Sequence, residues 1–141
     1  MSVKQISIFL ENKTGELSTV VSYLAEKCIN LKALSIADTL DFGLVRIITD
    51  DPDKALDALH DGGYSVKATD VLAVTIDDRP GGLATVLSLL SRAGVAIEYT
   101  YAFLSNKPGF ASLIFRVEDN VKATKALQDA GIKVNNQNEL F

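Results

Sequence analysis

The sequence is two copies of one pattern, and this self-similarity constrains the fold more than any local motif does. The stretch Ile8–Val20 aligns with Val74–Val86 at one constant offset, which sets Gly15 on Gly81, Leu17 on Leu83 and Val20 on Val86. The same offset carries Leu24 onto Leu90 and Ile29 onto Val95. After a two-residue insertion in the second copy, Lys54-Ala55 falls on Lys122-Ala123, Leu59 on Leu127, Gly63 on Gly131 and Val66 on Val134. A repeat of ~65 residues is longer than a solenoid repeat and close to the smallest size that folds alone. Two domains are therefore expected, 1–68 and 69–141, with the boundary near Lys67 to Asp70.

Within each copy the hydrophobic period switches in a fixed order. Residues Lys4 to Leu10 alternate, with Ile6, Ile8 and Leu10 on one face, as in a half-buried strand. From Glu16 to Lys27 the spacing becomes helical, with Leu17, Val20, Val21 and Leu24 on one stripe. Strands are predicted over 30–38 and 42–49, separated by the turn Thr39-Leu40-Asp41. A second helix is predicted to start near Asp51-Pro52-Asp53, where an Asp can cap and a Pro fits the first turn, and to stop at Gly62-Gly63. A short strand, 64–67, closes the unit. The second copy repeats the order with strand 71–77, helix 82–93, strands 96–104 and 110–117, helix 121–130 and strand 132–135.

Each copy thus reads β-α-β-β-α-β, which predicts an α+β protein of two ferredoxin-like units with antiparallel sheets and helices on one face. On the other face, Ile29, Leu31, Ala33 and Ser35 alternate opposite Asn30, Lys32 and Leu34, leaving apolar surface that two units or two chains would bury.

Composition narrows the function classes. With 48% hydrophobic residues, 23% charged and three prolines, the chain is globular and not disordered. The net charge of −4 is spread without runs of like charge, which argues against a polyanion partner such as nucleic acid. The single cysteine, Cys28, excludes an internal disulfide and any CxxC motif, as suits a reducing compartment. The N-terminus lacks the apolar core of a signal peptide, and no stretch approaches the ~18 apolar residues a membrane span needs. A cytoplasmic protein with no membrane partner is expected.

The order of elements and the loop sequences together resemble the ACT-domain family of small-molecule-binding regulatory domains, here as a free-standing tandem pair. The resemblance covers nearly the whole chain. It rests on Asn12-Lys13-Thr14-Gly15-Glu16-Leu17, on its counterpart Asp78-Arg79-Pro80-Gly81-Gly82-Leu83, and on Ser35-Ile36-Ala37-Asp38-Thr39 followed by Asp41-Phe42-Gly43. The family's loop is typically a polar residue followed by x-Pro-Gly-x-Leu, and the first copy departs by carrying Thr14 in place of the proline. The resemblance implies a free amino acid bound where neighbouring domains meet, against this loop and the second strand, which adds Ala37, Asp38 and Thr39 to the candidate contacts. It also implies a homodimer that signals to a partner enzyme or regulator of amino-acid metabolism, with no cofactor and no catalytic machinery of its own.

The loop has suitable chemistry for such a ligand. Gly15 and Gly81 sit where a strand turns into a helix, and the free N–H groups of a helix N-terminus attract a carboxylate. Glycine lets the backbone approach a ligand without a Cβ in the way, and Pro80 fixes the turn leading in. Asn12 and Asp78 can accept from the ligand ammonium. Leu17 and Leu83 point towards a pocket or the core. A Gly and a polar residue also suit any turn between strand and helix, so both readings stand. Asp38 and Thr39 likewise fit either a facing domain or turn chemistry. Tyr99 and Tyr101 share one sheet face, where they form sheet surface or a dimer contact, or line a pocket.

Other chemistry finds little support. His60, the sole histidine, lies near a helix end where it complements the dipole, so a triad or a His/Cys metal site has nothing to draw on. Cys28 reads as a small buried apolar residue. Acylphosphatase-like enzymes share the topology and place an arginine in the first loop, as Arg79 is placed here, but Asp78 beside it would repel phosphate. RNA-binding domains of the same topology show aromatics amid basic charge on their central strands, and here those strands are apolar in an acidic chain. Asp41-Phe42-Gly43 lacks the surrounding motifs that give this triplet meaning in kinases. A module that only mediates association, without ligand, remains the alternative to the amino-acid sensor.

Overall fold

A computed structural model describes residues 2–11, 13–38, 42–104 and 107–140. Its elements are β1 (Val3–Glu11), α1 (Glu16–Glu26), β2 (Leu31–Asp38), β3 (Phe42–Thr49), α2 (Pro52–Asp61), β4 (Ser65–Asp77), α3 (Gly82–Arg92), β5 (Ile97–Phe103), β6 (Phe110–Val117), α4 (Asn120–Asp129) and β7 (Lys133–Asn135), then a 3-10 turn, Gln137–Leu140. The order β-α-β-β-α-β occurs twice, so the architecture is two ferredoxin-like units. The chain divides into two compact units, Lys4–Thr69 and Asp70–Phe141 together with Met1–Val3, called here the first and second units.

In the first unit β1, β3 and β2 pair antiparallel, with Ile6 opposite Ile47, Ile8 opposite Val45, and Val45 in turn opposite Ile36. Directly opposed residues share a face. That rule gathers Ile6, Ile8, Leu10, Val45 and Ile47 beneath Val20 and Leu24 of α1 and Ala55 and Leu59 of α2, forming one apolar core. Each Ile, Leu or Val among them, when fully buried, contributes roughly 1.5–3 kcal/mol. The second unit repeats the plan. Its strands run in the order β7, β4, β6, β5, and Leu72, Val74 and Phe115 pack under Val86, Leu90, Ala123 and Leu127.

Three features depart from the pattern in the sequence. The strands expected over 64–67 and 71–77 are one continuous strand, β4. Neither Gly nor Pro interrupts the chain between Gly63 and Pro80, and β-branched residues recur along it, so nothing breaks the extended backbone. A β-bulge between Leu31 and Ala33 shifts the register of β2. Ile29 and Leu31 consequently join the helix-covered core instead of the far face, and Leu34 and Ile36 fall on the helix side at the strand edge, where they stay 40% and 52% exposed.

Cys28 is exposed, not buried. It follows α1 in a left-handed conformation (φ 58°), where the second copy places Gly94 (φ 72°). The Cys28 N–H donates to Ala25 O and the Ile29 N–H to Leu24 O, which closes the helix end and turns the Cys28 side chain outward.

Candidate functional site

The two strand-to-helix loops share one hydrogen-bonded skeleton. Lys13 N–H donates to Glu11 O (2.9 Å) as Arg79 N–H does to Asp77 O (3.0 Å). Glu16 N–H donates to Lys13 O (3.3 Å) as Gly82 N–H does to Arg79 O (3.0 Å). The Thr19 hydroxyl donates to Gly15 O (2.9 Å) and the Thr85 hydroxyl to Gly81 O (3.0 Å). Each turn is also bridged by an ion pair, Lys13–Glu11 at 2.6 Å and Arg79–Asp77 at 3.2 Å. The Lys13 ammonium beside Glu11 holds that carboxyl below its ordinary range, and Lys13 is raised in return.

The helices α1 to α4 begin in two different ways. Asp51 caps α2 by accepting from Lys54 N–H (3.1 Å), and Asp119 caps α4 by accepting from Lys122 N–H (3.0 Å). By contrast, α1 and α3 start from Gly15 (φ 88°) and Gly81 (φ 91°), and no side chain among the described residues caps either. That backbone conformation suits glycine, which has no Cβ to clash. The first-turn N–H groups of α1 and α3 are therefore not capped by any side chain among the described residues, and they carry the positive end of the helix dipole.

Each loop borders a cavity. In the first unit a small one, about 90 Å³, is lined by Lys13, Glu16 and Leu17, by Leu10 and Glu11 at the end of β1, and by Ile36, Gly43 and Val45 of β2 and β3. The structure thus brings Lys13, Glu16 and Leu17 together beside the second strand, but through Ile36 and not Ala37. Thr14 and Gly15 shape the turn without lining this cavity. Ala37 lies opposite Leu44, one residue out of phase with Ile36, and therefore on the other sheet face. Asp38 pairs through its backbone with Gly43. Asn12 and Thr39 lie outside the described residues.

In the second unit the cavity is larger, about 320 Å³. Arg79, Gly82 and Thr85 line it from the loop and α3, Thr75, Ile76 and Asp77 from β4, Lys107 from just before β6 and Phe110 from its start, and Gly131, Ile132 and Lys133 from the turn into β7 and its first residue. Asp77 lines it and Asp78 does not; Asp78 N–H is instead held by Gly109 O (3.0 Å). Pro80, Gly81 and Leu83 form the turn and first helical residues outside the lining. Gly82 has a different reason to be glycine, because a Cβ there would stand 2.2 Å from Asp77 O.

Tyr101 lies on β5 opposite Ile114 and stacks on Tyr99, the ring centroids 6.4 Å apart, and it does not reach this cavity. Nothing local in the sequence joins Lys107 or the Gly131–Lys133 turn to the loop; the one signal is the recurrence of Gly63 at Gly131. Among the described residues no cluster of His, Cys, Asp and Glu is arranged to hold a metal ion, and no helix is long and apolar enough to cross a membrane.

The model of an ACT domain pair matches residues 1–140. The chain belongs to the ACT-domain family. A crystal structure of a protein from Bacteroides thetaiotaomicron shares 43% sequence identity with this ACT pair, covers 99% of it and 96% of its own length, and superposes with a TM-score of 0.93. The regulatory subunit of aspartate kinase from Thermus thermophilus, ligand free, has the same fold at 20% identity, with 90% and 91% of the two chains covered and a TM-score of 0.67. Its counterpart from Thermus flavus has 20% identity, coverages of 91% and 92% and a TM-score of 0.61. No curated protein matches the chain.

Proposed function

We propose that this ACT pair is a cytoplasmic regulatory protein that senses a free amino acid and modulates amino-acid metabolism. The ligand's carboxylate docks at the uncapped start of α1 or α3, and a further ACT unit completes the site, with the homodimer as the working assembly. The output passes to a partner enzyme or regulator, because binding shifts an equilibrium only when the ligand prefers one packing over another. The regulatory half of the reading draws on the family and on the role named for the Thermus chains.

One observation carries the ligand-binding half. Among the described residues α2 and α4 carry aspartate caps, while α1 and α3, which follow the two matching loops, start from left-handed glycines and have no side-chain cap. A glycine start in place of an aspartate cap forgoes only about a few tenths of a kcal/mol, but it leaves first-turn N–H groups without a side-chain partner, and a bound carboxylate can supply one. Exposed Leu34 and Ile36 on β2 favour association as well, and association alone is the competing reading.

The test is a thermal-shift and calorimetric screen of the twenty amino acids, with light scattering to report assembly. A ligand at 100 times its dissociation constant should add about 2.7 kcal/mol of stability. Binding should disappear in a folded Gly81→Val variant. If no amino acid moves the melting temperature or gives heat, the module only associates and the sensor reading fails.

A further inference from the structure

We infer that the second unit's cavity selects an amino acid bearing a second carboxylate, an aspartate- or glutamate-like ligand of net charge −1. The inference rests on the amino-acid reading above and adds the ligand's class. In a chain of net charge −4, this lining gathers three cations, Arg79, Lys107 and Lys133, against one carboxylate, Asp77. The three come from separate parts of the unit: the loop before α3, the β5–β6 connection and β7. Their convergence therefore owes nothing to local composition. A volume of about 320 Å³ sits at the small end of the range for small-molecule sites, ~300–1,000 Å³, as a single amino acid requires.

The polar groups match such a ligand one for one. Arg79, in the loop before α3, suits the α-carboxylate. Asp77 supplies an acceptor for the ammonium, and Lys107 and Lys133 suit the second carboxylate. Ile76 and Ile132 wall the short methylene stem. Arg79 pairs with Asp77, and Lys133 with Glu139 at 2.8 Å. Lys107 Nζ lies 4.7 Å from the Phe110 ring centroid. The Lys133–Glu139 pair is solvent-exposed, and such pairs contribute little, so a ligand carboxylate displaces Glu139 at small cost.

The first unit's cavity has the opposite balance, with Lys13 against Glu11 and Glu16 in about 90 Å³. A second carboxylate there would meet like charge. Selectivity is a difference of this kind, built as much from repulsion at one site as from attraction at the other.

Calorimetry of the full chain at pH 7 and low salt with aspartate, glutamate, asparagine and glutamine tests the assignment. An acid should bind about tenfold or more tightly than its own amide, as the loss of one charge-assisted contact implies. Lys107→Gln and Lys133→Gln should each weaken the acid severalfold without moving the melting temperature. Amide NMR shifts should fall on Gly131–Lys133. An amide that binds as tightly as its acid overturns the inference, as do lysine variants that keep full affinity or shifts confined to the first unit. If a neutral amino acid binds and is lost on Arg79→Ala, the charge assignment is wrong while the sensor reading stands. If no amino acid binds, both are wrong.

Discussion

The loop Glu11–Leu17 and the loop Asp77–Leu83 make the same main-chain bonds and the same ion pair, yet differ in how tightly they are wound. The first carries Glu16 where the second has Gly82, and its Glu16–Lys13 bond is 3.3 Å against 3.0 Å for Gly82–Arg79. In the second loop, Pro80 replaces Thr14, and the backbone draws so close that a Cβ at position 82 would meet Asp77 O at 2.2 Å. One skeleton thus borders two unlike cavities. The looser loop faces β2 and β3 across a small cavity, and the tighter one faces the β5–β6 connection and β7 across a larger, basic one.

The largest way to break this comparison is to add one methyl group. Gly82→Ala should destabilise the protein by about 2–3 kcal/mol, because the atom in the way is a backbone carbonyl that only a loop shift can move. Glu16→Ala, at the matching position, should stay within about 0.5 kcal/mol. Urea unfolding of both variants measures the gap. Equal costs would mean that the two loops are wound alike.

How much of this was legible in the sequence depends on range. The period switch from 2 to 3.6 places β1, α1, β3 and α2 within a residue or so, and Asp51-Pro52 marks the start of α2 because capping is local chemistry. The bulge in β2 leaves no local mark, so the parity of Leu31 against Leu34 reads wrongly. The unbroken β4 is visible only in what the stretch after Gly63 lacks, namely a Gly or Pro before Pro80. The loop residues Lys13, Glu16, Leu17, Arg79 and Gly82 could be named because a strand-to-helix turn has recognisable residues. Ile36, Lys107, Phe110 and Lys133 reach the cavities by tertiary pairing, which a single sequence does not display. Asp78 is the natural acceptor by motif, but its N–H is tied to Gly109 O in the loop, and the last strand residue, Asp77, lines the cavity instead.

The helix ends sharpen the comparison by a smaller amount. After α1 the chain puts Cys28 at φ 58°, and after α3 it puts Gly94 at φ 72° in the same bonding pattern. A non-glycine residue in the left-handed region is strained by about 1 kcal/mol, less the entropy glycine adds to the unfolded chain. Cys28→Gly should therefore stabilise the first unit by about 0.5 kcal/mol, whereas Gly94→Ala should destabilise the second. A neutral or destabilising Cys28→Gly would show that the first copy has relaxed around its cysteine.

The smallest effect belongs to the ion pairs that bridge the two turns. Lys13 lies nearer its carboxylate than Arg79 does, 2.6 Å against 3.2 Å, and it holds Glu11 below the ordinary carboxylate range first by its hydrogen bond and then by its charge. A depressed acid contributes stability that is present above its unfolded pKa and lost as the pH falls through the folded value. The clamp on the first loop should therefore hold at neutral pH and release only below the ordinary glutamate range. Both partners are largely exposed, so the melting temperature should scarcely register the change, and the sensitive measurement is an NMR titration of the Glu11 side-chain carbonyl. Its midpoint should lie below that of an unperturbed glutamate and climb towards it in about 1 M salt, where screening acts within ~3 Å. A midpoint at or above the ordinary value would mean that Lys13 is not held across the turn in solution, leaving it able to swing to a ligand in the adjoining cavity.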